Sequence, residues 1–293
     1  MGQKPLLIIA FMLFVGNVLA QSLSLSFHPI VGSCQKYEIT KSLWIGQSGI
    51  NRRTPDIFGN STVYYLFSLK TIEDKGDYLI IEFVCDSIST SVESSIEFSA
   101  NSYPMEYFQI TDNPFKDKLV LMHISKTGEI FKILGIDYIV DQLETKQQSV
   151  KMASMVTSLV KELFRMAVPK YTDKLLTVGQ EWNSSEQADA GVYRYREDIQ
   201  YVLNDFDHEI AMISLLSTIE PDNNDEYDKG MMGQKMKIKP SGTVTGTQKI
   251  DRSTGWIIES MVQKSITVHI EMENVSITLP PSISREKITV KRM

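Results

Sequence analysis

The sequence has few of the residues that most often build catalytic and metal sites. It contains four histidines and two cysteines among 293 residues. No two histidines have the spacing of two or four residues that turns both imidazoles towards one metal ion, and neither cysteine has a histidine beside it. A Gly-x-Ser-x-Gly elbow and a glycine-rich phosphate loop are also absent. The sequence therefore predicts no catalytic, cofactor-binding or metal-binding residues, and a non-catalytic protein.

The nearest approach to a metal site is an acidic segment, residues 222–228, in which side-chain oxygens recur as in a calcium loop. Such a loop needs glycine at its sixth position and a bidentate glutamate at its twelfth. Tyr227 and Gly233 occupy those positions here. We interpret the segment as a solvated loop.

Basic residues are outnumbered by acidic ones. The chain has 30 lysines and arginines against 36 aspartates and glutamates, and its formal net charge is -6. Proteins that bind nucleic acids use clustered basic side chains to neutralise phosphates. We therefore predict no nucleic-acid partner.

The chain has one long apolar run, residues 6–15, near its N-terminus. The run follows Lys4 and leads to a small residue, Ala20, which is the order found in signal peptides. It is shorter than the ~20 apolar residues of a membrane-spanning helix. The sequence predicts a signal peptide at residues 1–20 and an exported protein, periplasmic or secreted, with no transmembrane span after cleavage. Gln21 stands where a lipoprotein has its lipidated cysteine, so we expect a soluble form.

Export would place the two cysteines, Cys34 and Cys85, in a compartment that permits disulfides. They allow one intramolecular pairing. Cys85 follows an apolar run, residues 79–84, where a buried thiol also packs well. The sequence alone leaves both states open.

Alternating side chains predict a first antiparallel β region in residues 21–135. Residues 62–72 are rich in β-branched and aromatic side chains, and residues 77–87 follow a polar turn as the hairpin partner. Residues 118–124 and 129–134 flank a second turn.

Residues 136–168 have the period of a helix. Apolar side chains recur every three or four positions, and the pattern stops before Pro169. We predict a helical segment that packs on the sheet. The apolar positions of its longer helix are Met152, Met155, Val156, Leu159, Val160, Leu163, Phe164 and Ala167.

The alternation returns in a second β region, residues 169–293. Between residues 193 and 203 the odd positions are apolar, except that Glu197 stands among them. The alternation from Trp256 to Met272 would extend over about 55 Å, which is longer than a usual strand. Either this strand bends near residues 260–264 or it belongs to a strongly coiled sheet.

The two β regions resemble each other in order. In each, a strand enters a turn that ends in Thr-Gly, at residues 127–128 and 254–255, and a second strand leaves it. Limited turn chemistry alone makes hairpins look alike. A duplication would instead give two similar halves with the helices between them, as one sheet or two facing sheets.

Two motifs carry a resemblance to a known family. The segments VGQEW, residues 178–182, and DRSTGW, residues 251–256, resemble an uncharacterised family of exported bacterial proteins that is common in Bacteroidetes. The likeness covers most of the mature chain. Many members resemble lipoproteins, whereas this chain lacks the lipidated cysteine. The resemblance implies no activity, substrate or site residue.

Together these patterns predict an α+β, mainly β protein. We expect a large coiled antiparallel sheet, as a half-barrel or two similar β halves, packed by one amphipathic helical segment in one compact domain. Such a sheet can hold an apolar or lipid-like ligand in a concave place. The alternatives are a structural or protein-interaction module with an envelope protein as partner, and an enzyme of unrecognised type.

Overall fold

The computed structural model describes residues 22–47, 57–93, 115–116, 118–143, 149–189, 194–222, 228–229, 235–272 and 281–293. Most of these residues lie in β-strands, and two helices interrupt them. The elements in chain order are β1 (Ser22–Leu23), β2 (Cys34–Gln47), β3 (Ile57–Asp74), β4 (Tyr78–Glu93), β5 (Val120–Ser125), β6 (Ile130–Leu134), α1 (Ile136–Leu143), α2 (Ser149–Ala167), β7 (Leu176–Thr177), β8 (Glu181–Asp189), β9 (Arg194–Phe206), β10 (Ile210–Pro221), β11 (Asp228–Lys229), β12 (Lys235–Asp251), β13 (Ile257–Met272) and β14 (Ser282–Arg292).

One large antiparallel sheet dominates the described residues. Its order is β6-β5-β4-β3-β2-β14-β13-β12-β10-β9-β8, and β11 pairs with β12. Strands β1 and β7 form a separate two-stranded sheet. Within the described ranges β6 and β8 each pair on one side only, so the large sheet is open. The predicted fold class, mainly β with a large antiparallel sheet and a helical segment, is confirmed.

The sheet consists of two meanders that meet at the chain's first and last long strands. Strands β2 to β6 form one meander and β8 to β14 the other, with both helices between them in sequence. Strand β14 joins them by pairing with β2, from Arg292 opposite Tyr37 to Ser282 opposite Gln47. The two similar halves therefore form one continuous sheet.

The two Thr-Gly turns have matching geometry. Gly128 and Gly255 both have positive φ, 83° and 79°, a conformation that glycine adopts without steric cost. A ladder irregularity comes shortly before each turn, next to Ile124 in one half and next to Ile250 in the other. The echo in the sequence thus corresponds to a shared backbone geometry.

The long strand β13 is continuous. It pairs with β12 from Met272 to Glu259 without a change of register, so the ladder does not break near residues 260–264. A Cβ on Gly242 would lie 2.1 Å from the backbone oxygen of Ser265, and one on Gly246 would lie 2.8 Å from that of Met261. The backbones approach closely where glycine leaves room, as expected for a strongly coiled sheet.

Helix α2 packs on one face of the sheet, which we call the inner face. Its buried Phe164 lies edge-on to Phe27 at 6.0 Å, and Phe27 lies edge-on to Trp256 at 4.7 Å. Tyr37 stacks on Phe67 at 5.6 Å. Burying such a side chain contributes roughly 1.5–3 kcal/mol. These rings and their neighbours form the main core, which fills one end of the inner face.

Candidate functional site

A second apolar cluster lies on the inner face, apart from the main core. Four buried side chains form it, from β9, β10, β12 and β13, and the described residues of α2 contribute none. Half-buried apolar side chains surround it, including Leu215, Val262 and Val268, and the first two of these also pack against the main core. The four members of this second cluster are Tyr195, Ile219, Val244 and Ile266.

Charged side chains lie on the same face, between the two apolar regions. Lys264 of β13 is the register partner of Val244, a member of the second cluster. Its Nζ donates to Tyr195 Oη at 2.6 Å and lies 3.5 Å from Glu197 Oε2. Two strands, β12 and β10, separate β13 from β9 in the sheet. A flat sheet would place these strands about 14 Å apart, so the sheet must curl inward for the side chains to meet.

Helix α2 joins both halves of the sheet through its charged residues. Glu162 accepts a hydrogen bond from Lys41 of β2 at 2.9 Å, and Lys41 also lies 3.5 Å from Glu286 of β14. One turn further on, Arg165 pairs with Glu186 of β8. Strands β2 and β8 are six strand spacings apart, about 29 Å measured along the sheet. The helix therefore lies in the trough of a curved sheet.

Positive and negative charges balance among these residues. We call the set the charged belt, and each member pairs with at least one other. Four are cationic and four are anionic, so the belt is neutral as a whole. Its members are Lys41, Arg165, Lys170, Lys264, Glu162, Glu186, Glu197 and Glu286.

Mutual pairing favours the charged forms of Glu162 and Lys264. Burial alone would raise the pKa of Glu162, but the charge and hydrogen bond of Lys41, with Lys264 and Arg165 nearby, outweigh burial and lower that pKa. Burial alone would lower the pKa of Lys264, whereas the carboxylate of Glu197 and the hydroxyl of Tyr195 raise it. The side chain of Glu162 is nevertheless 43% exposed. Solvent therefore reaches part of this side chain.

The two cysteines lie too far apart to bond. Cys34 is exposed on β2 opposite Lys70, and Cys85 is buried on β4 opposite Phe67. Strand β3 separates them, which puts their Cα atoms at least about 9.6 Å apart. A disulfide spans Cα atoms up to about 7 Å apart. The pairing that the sequence permits does not form in this structure.

No metal-binding group of three or more histidine, cysteine, aspartate or glutamate side chains occurs in the described part of the chain. The acidic segment that we interpreted as a solvated loop lies outside it at residues 223–227. No described helix has the length and apolar character needed to cross a membrane.

A shallow groove also crosses β8, β9 and β10 on the outer face. Most of the residues that line it are polar, such as Asn183, Asp198 and Gln200. Several of these bond to neighbours, as Ser185 does by donating to Asp198 at 2.6 Å. The groove is open, and Ile199 and Leu216 add apolar surface to it, whereas the members of the second cluster are buried.

Sequence analysis did not identify the charged belt, although one signal of it was visible. Glu197 interrupts an apolar alternation, and it proves to point inward with the apolar side chains. Lys264 likewise shares the parity of Val262 and Ile266. A charge at an apolar position of a strand indicates an inward-facing ion pair. Its partner on a distant strand is not visible in the sequence.

The two motifs of the resemblance are structural. In VGQEW, Trp182 stacks on Tyr201 at 5.1 Å, and its Nε1 donates to the backbone oxygen of Lys170. In DRSTGW, Asp251 pairs with Arg292 at 3.0 Å, and Trp256 is fully buried in the main core. Both motifs therefore secure the end of the sheet that α2 closes.

Comparisons with known proteins agree with this structural character. The model of a family of unknown function (DUF6263) matches residues 79–257, which include both motifs, and this confirms the resemblance to an uncharacterised family. No curated protein matches the chain.

Some solved structures show low similarity. A structure described as lipid–protein interactions in lipovitellin has 10% identity and a TM-score of 0.47 over 91% of this chain, which spans a quarter (25%) of that one. An outer membrane channel from Pseudomonas putida F1 has 6% identity and a TM-score of 0.22, covering 91% of this chain and 97% of that chain. A mutant Rh. blastica porin has 7% identity and a TM-score of 0.21, covering 89% and 99%. At these scores the similarity assigns no function.

Proposed function

The chain belongs to the DUF6263 family of unknown function, and we propose that it is a non-catalytic exported protein that binds an apolar ligand on the inner face of its sheet. The supporting observation is the second cluster, an apolar region on a curved face to which α2 contributes no described side chain. Concave apolar surfaces with a few polar groups are the usual places for small ligands.

The two ends of the inner face differ in what covers them. Phe164 and its neighbours in α2 cover the main core, and the rings there are fully buried. Leu215, Val262 and Val268 at the second cluster stay half-buried. A ligand that removes ~300 Å² of apolar surface from water gains about 7 kcal/mol before the entropy cost of binding. The half-buried side chains around the second cluster are therefore where a ligand can still remove apolar surface from water.

Export is part of the proposal. Its support is the apolar run after Lys4 and the small residue Ala20. The intact mass of the protein isolated from its own cells should correspond to a chain that begins at Gln21. A chain that retains residues 1–20 would contradict cleavage.

Native mass spectrometry tests ligand binding. The protein is purified from its own envelope without detergent, and its native mass is compared with its denatured mass. We expect extra mass that denaturation releases as an apolar or lipid-like species. The variant Val268→Asp should lose it, because a charge then faces the apolar trough.

The adjacent substitution Thr267→Asp is the matched control. It places the same carboxylate on the outer face and should retain the extra mass. A bare mass for the wild-type protein would contradict a firmly held ligand.

A second candidate function is protein interaction at the β6 edge of the sheet. Phe131 of β6 is 57% exposed, Tyr138 of α1 is 73% exposed and Leu119, just before β5, is 53% exposed. An open sheet edge with apolar side chains can add a strand from a second copy. Light scattering over a concentration series should then show dimers that Phe131→Ser removes. A monomer at all concentrations would exclude self-pairing.

A further inference from the structure

Lys264 and Glu197 lie where the second cluster meets the charged belt. Lys264 is opposite Val244, and Ile266 is the next inward residue on the same strand. Glu197 stands opposite Ile219, a third member of the cluster. An apolar chain that lies on the cluster therefore ends beside these two charges.

The contact between Lys264 and Glu197 is loose. Their charged atoms are 3.5 Å apart, whereas charge-assisted hydrogen bonds are about 2.7–2.9 Å long. The ammonium has three donors, of which Tyr195 accepts one at 2.6 Å and Glu197 accepts a second, long one at 3.5 Å. Both side chains keep some exposure, 14% for Lys264 and 17% for Glu197. Each group therefore retains the capacity for a further hydrogen bond.

A hydroxyl group can use both capacities at once. It accepts a hydrogen bond from the ammonium of Lys264 and donates one to the carboxylate of Glu197. A carboxylate ligand would be attracted by Lys264 and repelled by Glu197. A protonated amine would be repelled by Lys264 and attracted by Glu197. Because the belt is already neutral, neither charged head gains a net electrostatic attraction.

We infer that the ligand is a neutral amphiphile. Its hydroxyl-bearing head lies beside Lys264 and Glu197 and bridges them, and its apolar chain lies on the second cluster. This inference rests on the proposed function and adds the chemical class of the ligand.

Three probes with the same saturated chain test the inference: monolauroylglycerol, laurate and laurylamine. Their affinities are measured at pH 7 by displacement of a fluorescent apolar dye, below the concentrations at which they form micelles. Wild-type protein should bind monolauroylglycerol about tenfold more tightly than either charged probe, a difference of about 1.4 kcal/mol.

Charge variants should reverse this order in opposite directions. Glu197→Gln removes the carboxylate closest to Lys264, with Glu286 further away, so laurate should become the tightest probe. Lys264→Gln leaves Glu197 without its cation, so laurylamine should become the tightest. The double variant restores neutrality and should again prefer monolauroylglycerol. A single variant keeps one unpaired inner charge and can fail to fold for that reason. The double variant has no such charge and still tests the preference for the neutral probe.

Lys249 and Glu259 supply the matched control. They form an exposed ion pair between β12 and β13 on the outer face, 2.8 Å long. Lys249→Gln and Glu259→Gln should leave the order of the probes unchanged.

Equal affinities for the three probes, or an order that the inner variants do not change, would overturn the inference that the ligand is neutral and leave the proposed function standing. If none of the probes and no native ligand binds, the proposed function itself fails.

Discussion

The two ends of the inner face share one sheet and one alternation of side chains, yet they are covered differently. At one end α2 packs its apolar side chains against the aromatic rings of the main core. At the other, the second cluster consists of strand side chains alone within the described residues. The charged belt lies between them and holds the helix in place. Alternation therefore determines which side chains point inward, and the position of the helix determines which of them pack against it.

The largest effect is expected from a substitution in the main core, at the end of the inner face that α2 covers. Phe164→Ala should lower the free energy of unfolding by about 3–5 kcal/mol, because it removes a ring that α2 buries in the main core. Val268→Ala at the second cluster should cost about 1 kcal/mol or less, since that side chain is half-buried. Urea unfolding followed by circular dichroism measures both. Similar losses would mean that the two ends are equally packed.

The belt should contribute less than the rings. Glu162→Gln removes the partner that fixes Lys41 to α2 and should cost about 1–2 kcal/mol, less than a fully buried pair because the carboxylate is partly exposed. Lys239 and Glu271 form an exposed pair at 2.7 Å and provide the control. Glu271→Gln should change stability by less than about 0.5 kcal/mol. Equal effects of the two variants would show that the belt does not hold the helix.

Acid should weaken the belt in a defined direction. The pKa of Glu162 is lowered in the folded protein, so its contribution to stability is present above its unfolded value of about 4.3 and is lost as the pH falls through the folded value. We expect Glu162→Gln to lose less stability than wild type between pH 6 and pH 3, which lie on either side of the unfolded value. Urea midpoints at both pH values measure this. Equal losses of stability in the wild-type protein and in Glu162→Gln would contradict a lowered pKa at Glu162.

The smallest effect is expected from the cysteines, because no disulfide joins Cys34 to Cys85. Cys34 is exposed, and β3 separates it from Cys85. Cys34→Ser should change stability by less than about 0.5 kcal/mol, as surface substitutions do. A reducing agent should leave the thermal midpoint of the wild-type protein unchanged. A fall of several degrees on reduction would reveal a disulfide.

Sequence patterns predicted the elements well because alternation and helical period are local. The helix that ends before Pro169 is α2, and the alternation from Trp256 lies on β13, one of the longest strands. The joining of β2 to β14 was not predictable, because pairing between the first and last long strands leaves no local pattern. The inward charges Glu197 and Lys264 were visible as exceptions, but their meeting depends on the curvature of the sheet.

The most direct test of apolar binding on the inner face is covalent mapping. A photoreactive monoacylglycerol is bound to the protein, irradiated and located by peptide mass spectrometry. Our account predicts attachment at inner residues of β10 and β13, such as Leu215, Val262 and Val268. The same strands carry exposed apolar side chains on the outer face, Met212, Leu216 and Met261, which serve as an internal control. Attachment at these outer residues, with the inner ones unlabelled, would contradict the account.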